Sequence, residues 1–386
     1  MDIVRIGLIG VGGMGSNHVG YLSRGDVPGA QLAAICDVSP DQLAHARTRV
    51  GEGVQAFENA DALFEANVVD AVIIATPHYF HPPLAIKAFG HDLHVMSEKP
   101  AGVYTKHVRE MNEAAEKSGK AFGLMFNQRT LGQHQKLKEL VASGELGELR
   151  RTNYIITSWF RAQSYYDSGG WRATWAGEGG GVLANQCPHN LDLWQWICGM
   201  PNRVRAFCGF GKYHDIEVED DVTAYVEYDN GATGVFITTT GEAPGTTRLE
   251  ITGDNGKLVM EDGGITFWRN RTPADRFNRE WEGGFGSPET WKCEIPFRSG
   301  GEEHVGITKD WINAILTGAP LLAPGVEGIN GVQLSNAMLL SAWTDNWVDI
   351  PVNEDLYYDH LQDRIKNSTV KKDGSQSTTM DVGGTF

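Results

Sequence analysis

The first third of the chain alternates short, continuous apolar runs with longer amphipathic stretches. The apolar runs occupy residues 3–10, 32–37, 71–76, 94–98 and 121–126. Unbroken runs of this length, rich in Val, Ile and Ala, are typical of parallel strands that are buried on both faces. Residues 105–118 between the last two runs predict a helix that ends at Gly119. Residues 1–125 are therefore predicted to form a parallel α/β domain.

The pattern changes to strict alternation in residues 126–350. Two hairpins are predicted, with strands at 221–228 and 232–240 and at 249–253 and 257–261. An Asn-Gly pair separates the two strands of each hairpin, which is the strongest short-range hairpin signal. Helices are predicted near 304–317 and 326–347. This region is predicted to be an α+β domain with a large open, mostly antiparallel sheet, whose face packs on helices or on another subunit.

The remaining residues, 351–386, are interpreted as a C-terminal extension. The sequence becomes polar and poor in apolar residues from Ser368 onwards. We expect this last part to be loose or to lie across a partner.

A glycine motif lies between the first apolar run and a helical pattern, at Gly10, Gly12 and Gly15, with Gly13 and Met14 inside it. In a Rossmann domain the first glycine permits a tight turn, the second lets a pyrophosphate approach the backbone, and the third lets the helix pack close to the strand. The free N–H groups at the start of the helix then bind the pyrophosphate. The motif predicts a dinucleotide site.

Asp37 ends the second predicted strand, 22 residues after Gly15 (37 − 15). A carboxylate at this spacing accepts hydrogen bonds from the adenosine ribose and repels a 2′-phosphate, which favours NAD over NADP. The alternative is a loop aspartate that caps the next helix.

Lys99 follows a predicted strand in the segment Glu98-Lys99-Pro100. Ligands of parallel sheets bind at the carboxyl ends of the strands, and a lysine there can stabilise a developing alkoxide. Without further context, a surface lysine beside a loop proline is the simpler interpretation.

His189 lies in residues 179–192, the stretch with the most candidate chemical groups. Pro188 within it and Gly199 after it predict the start and the end of a helix. His189 and Asp192 are then on one face of that helix, so that Asp192 either orients the imidazole or belongs to a network at the helix start. A histidine is the usual proton acceptor when an alcohol loses hydride, although a lone histidine on a helix is more often structural.

Composition excludes several other classes of function. With 33 Lys+Arg against 49 Asp+Glu, the net charge of −16 repels polyanions, so nucleic acid is not expected as a partner. The five cysteines are dispersed, with no C-x-x-C pair, and they fit buried thiols rather than a disulfide framework or a metal site. No apolar run is long enough to span a bilayer, and no signal sequence is recognised. We expect a cytoplasmic protein without a metal or a membrane partner.

Together these segments resemble the Gfo/Idh/MocA oxidoreductase family. The resemblance rests on residues 10–15, Thr76-Pro77, Glu98-Lys99-Pro100, Asn127-Gln128-Arg129, Trp171-Arg172 and residues 179–192. The resemblance implies a Rossmann domain joined to an open-faced, mostly antiparallel α/β domain. It also implies oxidation or reduction of sugars and cyclitols with NAD(P), in a homodimer or homotetramer packed through the second sheet.

The resemblance also implies roles for individual residues. Lys99 corresponds to the active-site lysine and His189 to the proton-transferring histidine. The cofactor-binding residues would be Gly10, Gly12, Gly13, Met14, Gly15, Asp37, Thr76, Pro77, His81, Glu98, Lys99 and Asn127. The substrate-binding residues would be Lys99, Arg129, Trp171, Arg172, Asn185, His189 and Asp192.

Asn185 departs from the family pattern, which commonly has an aspartate at this position. An amide carries no charge that would raise the pKa of His189, although it can hydrogen-bond to hydroxyl groups. The segment Asn185-Gln186-Cys187-Pro188-His189 resembles a subgroup that oxidises glycosides at the pyranose C3 hydroxyl.

The sequence therefore predicts an NAD-dependent oxidoreductase that oxidises a secondary hydroxyl of a sugar, a glycoside or a cyclitol. Two alternatives remain open. One is a redox-assisted glycoside hydrolase or lyase that returns the hydride from a tightly bound NAD, and the other is a non-catalytic NAD-sensing regulator. Release of NADH with substrate separates the dehydrogenase from the first alternative. The second would need no pairing of Lys99 with His189.

Overall fold

The structure, a computed structural model, describes residues 2–370, and the end of the tail predicted from Ser368 lies outside these residues. The predicted parallel sheet is present. Its strands are β1 (Val4–Ile9), β2 (Ala30–Cys36), β3 (Gln55–Phe57), β4 (Ala71–Ile74), β5 (His94–Ser97) and β6 (Phe122–Leu124). The helices that connect them are α1 (Gly13–Ser23), α2 (Pro40–Arg47), α3 (Ala60–Glu65), α4 (His81–Gly90) and α5 (Thr105–Ser118).

The strand order of this sheet, β3-β2-β1-β4-β5-β6, fixes where a ligand can bind. All neighbouring strands are parallel, and the order reverses between β1 and β4. In open α/β sheets the crevice at the carboxyl ends of the strands, at such a reversal, is the ligand site. The glycine motif lies there, at the end of β1.

Helix α5 shows why the local prediction succeeds. It covers Thr105–Ser118, as predicted, and buries Val108, Met111 and Ala115 at helical spacing. Gly119 ends it in the left-handed conformation, with a φ of +66°, which glycine adopts without steric cost.

The second sheet comprises nine strands within the described residues, in the order β14-β13-β12-β11-β7-β10-β9-β8-β15. Its strands are β7 (Leu149–Ile156), β8 (Arg203–Phe210), β9 (Glu219–Glu227), β10 (Thr233–Thr239), β11 (Thr247–Gly253), β12 (Gly256–Glu261), β13 (Gly264–Asn270), β14 (Thr290–Glu294) and β15 (Val348–Asp349). Only β7 and β10 pair in parallel, so the sheet is mostly antiparallel, as predicted.

Seven further helices follow α5 within the described part of the chain. They are α6 (Gly132–Ala142), α7 (Gln163–Asp167), α8 (Pro188–Cys198), α9 (Ala274–Glu280), α10 (Glu303–Thr317), α11 (Gly328–Thr344) and α12 (Glu354–Asn367), with 3₁₀ turns at His78–Phe80, Asn127–Thr130 and Gly325–Glu327. Helix α8 begins at Pro188 and is followed by Gly199, as the sequence predicts.

The two faces of the second sheet differ in their surroundings. Val222, Ala224, Val226 and Tyr228 point to one side of β9 and its turn and are buried, together with side chains of α8 and α11, in the core of this half. We call the opposite side the outer face; it carries the exposed side chains of Phe207, Tyr225 and Trp268 and the half-buried Ile155, Val235 and Ile237.

Two hydrophobic cores follow from this arrangement, one on each sheet. Ile307, Trp311 and Ile312 of α10 come late in the chain but belong to the core of the first sheet. Tyr357 and Leu361 of α12 belong to the second core. The domain division at residues 125 and 350 stays a prediction, because packing and chain order do not coincide at α10.

Several expectations concern features of the whole chain. Within residues 2–370, no helix is both long and apolar enough to cross a membrane. The five cysteines are all free thiols. No group of three or more His, Cys, Asp or Glu side chains in the described residues is arranged to hold a metal ion.

Candidate active site

The glycine turn after β1 has the geometry that a dinucleotide site requires. Gly10 has a φ of +88°, and a Cβ there would lie 2.6 Å from the carbonyl oxygen of Ala75. A Cβ on Gly15 would lie 2.0 Å from the carbonyl oxygen of Gly10, so only glycine lets α1 pack this closely on the turn. A Cβ on Gly12 would meet nothing within 4 Å, because this residue faces open space.

The start of α1 has unused donors at the same place. Its cap residue is Gly12, and no side chain accepts a hydrogen bond from the first turn of the helix. Gly12, Gly13 and Met14 line a cleft, so the free N–H groups and the positive end of the helix dipole are available to an anion there. This arrangement fits the pyrophosphate of a dinucleotide.

Asp37 is held rigidly beside this turn. Its Oδ2 accepts a hydrogen bond from the Val11 N–H at 2.8 Å and its Oδ1 accepts one from the Ser39 N–H at 2.9 Å. Each carboxylate oxygen keeps a further lone pair, and the side chain lines the cleft. Helix α2 is capped by Ser39, not by Asp37. The geometry therefore fits a ribose-binding carboxylate better than the helix-cap alternative.

One cleft of about 770 Å³ connects the glycine turn with the predicted chemistry. Its walls include most of the predicted cofactor and substrate residues, namely Gly10, Gly12, Gly13, Met14, Asp37, Thr76, Pro77, Glu98, Lys99, Trp171, Arg172 and Asn185. The Oγ1 atom of Thr76 is buried and lacks a hydrogen-bond partner. The cleft is large enough for a dinucleotide with a small ligand beside it.

Lys99 stands at the junction of the two domains. Its Nζ donates a hydrogen bond to the main-chain oxygen of Asn185 at 3.1 Å, so it bridges the end of β5 and the segment before α8. Burial lowers the pKa of Lys99, the Glu98 carboxylate opposes this shift, and the charge of Arg172 adds to it. The ammonium group is thus poised to release or share a proton more readily than a surface lysine.

The carboxylate of Glu98 is held by a buried chain of side chains. Its Oε1 lies 2.7 Å from His18 Nε2, His18 Nδ1 lies 2.5 Å from the Tyr21 hydroxyl, and that hydroxyl lies 2.9 Å from Thr308 Oγ1. Burial alone would raise the pKa of Glu98, but the hydrogen bond and charge of His18 outweigh it and lower the pKa to about 2. Glu98 Oε2 also accepts the Lys99 N–H at 3.2 Å, which fixes the backbone beneath the lysine.

Sequence reasoning did not identify His18 and Tyr21. The available signal was their spacing of three on α1, directly after the glycine motif, which places both on the helix face that meets the end of β5.

His189 occupies the first turn of α8 and is almost fully buried. Neither ring nitrogen has a hydrogen-bond partner among the described residues. Burial, with the nearby Lys99 charge as the next contribution, holds the pKa of His189 well below its ordinary value. The imidazole is therefore neutral at neutral pH, with one nitrogen free to accept a proton. The ring itself does not line the cleft.

Arg129 and Asp192 are placed elsewhere than the predicted substrate site. They form a buried pair in which Arg129 Nε and Nη2 donate to Asp192 at 2.8 and 2.6 Å, and Arg129 Nη1 donates to Glu327 at 2.6 Å. Neither lines the cleft. Asp192 contacts Gln195 as well as Arg129, and does not orient His189. A buried bidentate pair is satisfied internally, so these contacts do not support a substrate-binding role.

Asn185 is joined to a buried carboxylate that sequence reasoning missed. Its Nδ2 donates to Glu178 Oε1 and to the Tyr165 hydroxyl, the latter at 3.1 Å. Glu178 is 2% exposed, and its Oε2 accepts the Ala173 N–H at 2.6 Å. Position 185 thus lacks the carboxylate that the family commonly has there, but the carboxylate of Glu178 is hydrogen-bonded to the side chain at this position. The only signal for Glu178 in the sequence was a single acidic residue within a glycine-rich segment, residues 177–181.

The two remaining predicted cofactor residues support the cleft from outside. His81 contacts the carbonyl oxygens of Thr76 at 2.6 Å and Pro100 at 2.8 Å, and thereby ties together the segments that follow β4 and β5. Asn127 is buried with its Oδ1 unpartnered, and its Nδ2 lies 3.5 Å from His304 Nδ1. Neither side chain, nor Gly15, lines the cleft.

Two family models match the chain. Residues 4–126 match a model described as an oxidoreductase family with an NAD-binding Rossmann fold, and residues 134–259 match one described as a GFO/IDH/MocA C-terminal domain. Together they cover most of both sheets.

Individual relatives agree with this match. D-glucoside 3-dehydrogenase of Escherichia coli is 30% identical over 247 residues, which is 59% of this chain and 68% of the relative. The rhizopine catabolism protein MocA of Rhizobium meliloti is 28% identical over 200 residues, 52% of this chain and 58% of the relative. The latter alignment thus spans little more than half of the relative's length.

A solved structure resembles nearly the whole chain. The WlbA dehydrogenase of Chromobacterium violaceum, determined in complex with NADH and UDP-GlcNAcA, superposes with a TM-score of 0.78. It is 28% identical, and the match covers 92% of this chain and 97% of that one.

Proposed function

This chain belongs to the Gfo/Idh/MocA family of oxidoreductases, and we propose that it is an NAD-dependent dehydrogenase that oxidises a secondary hydroxyl of a sugar, glycoside or cyclitol. The observation that carries the proposal is the single cleft that runs from the glycine turn and Asp37 to Lys99 and Asn185. The cofactor and the reacting carbon would meet where Lys99 joins the two domains.

The residues of the first domain would hold the cofactor. The free N–H groups at the start of α1 would bind the pyrophosphate, and Asp37 would accept hydrogen bonds from the adenosine ribose. NAD, when bound, supplies a hydride acceptor at nicotinamide C4. Everything else in the reaction is proton transfer and electrostatic stabilisation by this chain.

Lys99 and His189 would divide the proton chemistry between them. Lys99 stabilises the negative charge that develops on the substrate oxygen as the C–H bond breaks. His189, which lies just behind the cleft wall and whose ring nitrogens have no hydrogen-bond partner among residues 2–370, would accept the hydroxyl proton once the bound substrate contacts it. Asn185, held by Glu178 and Tyr165, would orient the substrate hydroxyls. Trp171 and Arg172 close the same end of the cleft.

The names of the relatives support a sugar or a cyclitol as the substrate. D-glucoside 3-dehydrogenase is among them, and the WlbA dehydrogenase was crystallised with a nucleotide-linked sugar. The first of these names, together with the Asn185-to-His189 segment, supports a pyranose oxidised at the C3 hydroxyl, whereas the inositol 2-dehydrogenases that are also among the relatives support a cyclitol.

Substitution of the two chemical residues tests this proposal. Lys99→Ala and His189→Ala should each lower kcat by about 10²- to 10⁴-fold, the usual contribution of a positioned acid or base. NAD should still bind both variants, because the glycine turn and Asp37 are untouched. The measurement is NADH formation against a panel of glycosides, free sugars and cyclitols, with the Kd for NAD determined by calorimetry.

Lys106→Ala provides the matched control, since Lys106 is a surface lysine paired with Asp355. Wild-type kcat in either active-site variant would contradict the assigned role. If product forms with no net NADH, the enzyme recycles its cofactor, and the dehydrogenase proposal fails in favour of the redox-assisted hydrolase or lyase.

The chain is further proposed to be a homodimer or homotetramer that packs through the outer face of the second sheet. This face presents Phe207, Tyr225 and Trp268 to solvent, with half-buried aliphatic side chains on the central strands β7 and β10. Exposed aromatic side chains beside aliphatic ones on a sheet face, with charged residues such as Arg205 and Arg248 among them, are typical of a protein interface.

A further inference from the structure

We propose that the substrate of this enzyme carries an oxyanion, a carboxylate or a phosphate, and that Arg161 and Arg172 bind it. This inference rests on the proposed function for the position of the sugar, and it names the chemical class of that sugar. The two guanidinium groups, the ammonium of Lys99 and the wall of the cleft near Asn185 are the features that carry it.

The two arginines lie on one aromatic ring, that of Tyr165; Arg172 lines the cleft, and Arg161 and Tyr165 lie behind its wall. The guanidinium carbons of Arg161 and Arg172 lie over the ring of Tyr165, 5.2 and 4.8 Å from its centre. Arg172 also stacks on Trp171 at 4.6 Å, and both of these residues line the cleft beside Lys99. Stacking of this kind fixes a guanidinium in one plane without using its edge donors.

Most of those edge donors are unused. Arg161 donates from Nη1 to the carbonyl oxygen of Phe160 at 3.0 Å, and Arg172 donates from Nη1 to the Tyr165 hydroxyl at 3.0 Å. Among residues 2–370, neither arginine forms an ion pair with a carboxylate. Arg129 shows the contrast, since its donors are taken up by Asp192 and Glu327.

The positive charges of Lys99, Arg161 and Arg172 repel one another. The charges of Arg172 and Arg161 both oppose protonation of Lys99, so the three cations are electrostatically coupled. Two buried carboxylates, Glu98 and Glu178, act on Lys99 in the opposite direction. Three cations against two carboxylates leave this end of the cleft with an excess of positive charge, which attracts an anion.

The planar arrangement of the guanidinium donors determines which anion can bind. A planar guanidinium binds a carboxylate or a phosphate through two parallel hydrogen bonds, and a neutral hydroxyl cannot replace such a contact. The pyrophosphate of the cofactor already has the start of α1, at the other end of the cleft. The oxyanion is therefore assigned to the substrate, and a uronic acid or a sugar phosphate satisfies the site.

Equilibrium binding separates this inference from the reaction itself. Calorimetry of the protein saturated with NADH would use methyl β-D-glucuronide, D-glucose 6-phosphate and methyl β-D-glucoside as probes. We expect at least one of the two anionic sugars to bind about 10- to 100-fold more tightly than the neutral glucoside, the ratio for a charge-assisted pair. This preference should weaken as ionic strength rises.

Arg161→Gln and Arg172→Gln should each raise the Kd of that anionic sugar by a similar factor. The Kd of the neutral glucoside and that of NADH should stay unchanged. Arg279→Gln, which removes the same charge from an exposed position of α9, is the matched control and should change none of these values.

Three results would overturn the inference: equal or tighter binding of the neutral glucoside, unchanged anion binding in both arginine variants, or an Arg172→Gln effect confined to NADH. The last would assign Arg172 to the cofactor. An anionic sugar that binds through the arginines but yields no NADH would instead refute the dehydrogenase proposal and leave the inference standing.

Discussion

At the scale of single residues, the position of a side chain relative to the strand ends decides whether it faces the cleft. Lys99 and Asp37 face it, because each follows a strand of the parallel sheet whose carboxyl end forms the crevice. Arg129 and Asp192 have equally suggestive chemistry but pair with each other in the interior. No sequence pattern predicts this pairing, since the two residues are brought together only by the packing of α8 on the turn at Asn127–Thr130.

Asp37 provides a test of cofactor choice. Asp37→Ala removes the carboxylate that would bind the ribose and repel a 2′-phosphate. The Kd of NAD should rise by about 10- to 100-fold, the cost of losing a charged hydrogen-bond acceptor, while binding of NADP should improve. Both dissociation constants are measured by calorimetry on the purified protein.

The same carboxylate also accepts the N–H groups of Val11 and Ser39, so the variant has to be checked for local disruption. Asp37→Asn keeps an acceptor oxygen for one of these groups and loses only the charge. NADP binding should improve in this variant as well. Unchanged NAD/NADP selectivity in both variants would refute the assignment.

At the scale of elements, prediction succeeded where one local rule determined the structure. The limits of α5 and the antiparallel pairing of β9 with β10 follow from periodicity and from Gly119 or Asn230-Gly231. The segment between Glu178 and α8 has no such rule. Its conformation depends on Glu219, a residue of β9 about 40 positions later, whose Oε1 accepts the N–H groups of Gly181 and Leu183 at 2.8 and 3.0 Å.

Glu219 makes the stability of this loop depend on pH. It is fully buried, its Oε2 has no partner in the described residues, and burial, partly offset by the backbone hydrogen bonds, raises its pKa from 4.5 to about 7. When folding raises the pKa of a carboxyl group, the native state binds the proton more tightly than the unfolded chain does. The group therefore stabilises the native state only at low pH. The contribution is complete below about pH 4.5 and is lost as the pH rises through about 7.

Glu219→Gln should remove this dependence. The amide keeps an oxygen for the N–H groups of Gly181 and Leu183 and never ionises. At pH 8 the variant should be more stable than the wild type by an amount on the order of 3 kcal/mol, from the shift in pKa, and at pH 4.5 the two should differ little. Urea unfolding at both pH values measures this. Glu289→Gln, at an exposed position, is the control; equal pH dependence of Glu219→Gln and wild type would show that Glu219 does not titrate in this range.

At the scale of the whole molecule, the two halves of the chain contribute different parts of the cleft. The parallel sheet presents its carboxyl-terminal edge to the cleft, and the segment between β7 and α8 of the second half supplies Arg172 and Asn185. The fold class was predictable because periodicity differs between the halves. The contact between the two halves, made by the hydrogen bond from Lys99 to Asn185, was not predictable, because it depends on long-range packing rather than on a local pattern.

The outer face of the second sheet allows a test of assembly. Static light scattering after gel filtration should give a mass of two or four chains for the wild type. Trp268→Glu places a charge on this face and should raise the dissociation constant of the assembly by about 30-fold or more, since loss of a tryptophan that is buried in an interface costs about 2 kcal/mol or more. Leu356→Glu is the control, because Leu356 is 43% exposed on α12, whose Tyr357 and Leu361 pack in the core on the other side of the sheet. A wild type that is monomeric at micromolar concentration would refute the proposed assembly, and dissociation caused equally by both substitutions would place the interface elsewhere.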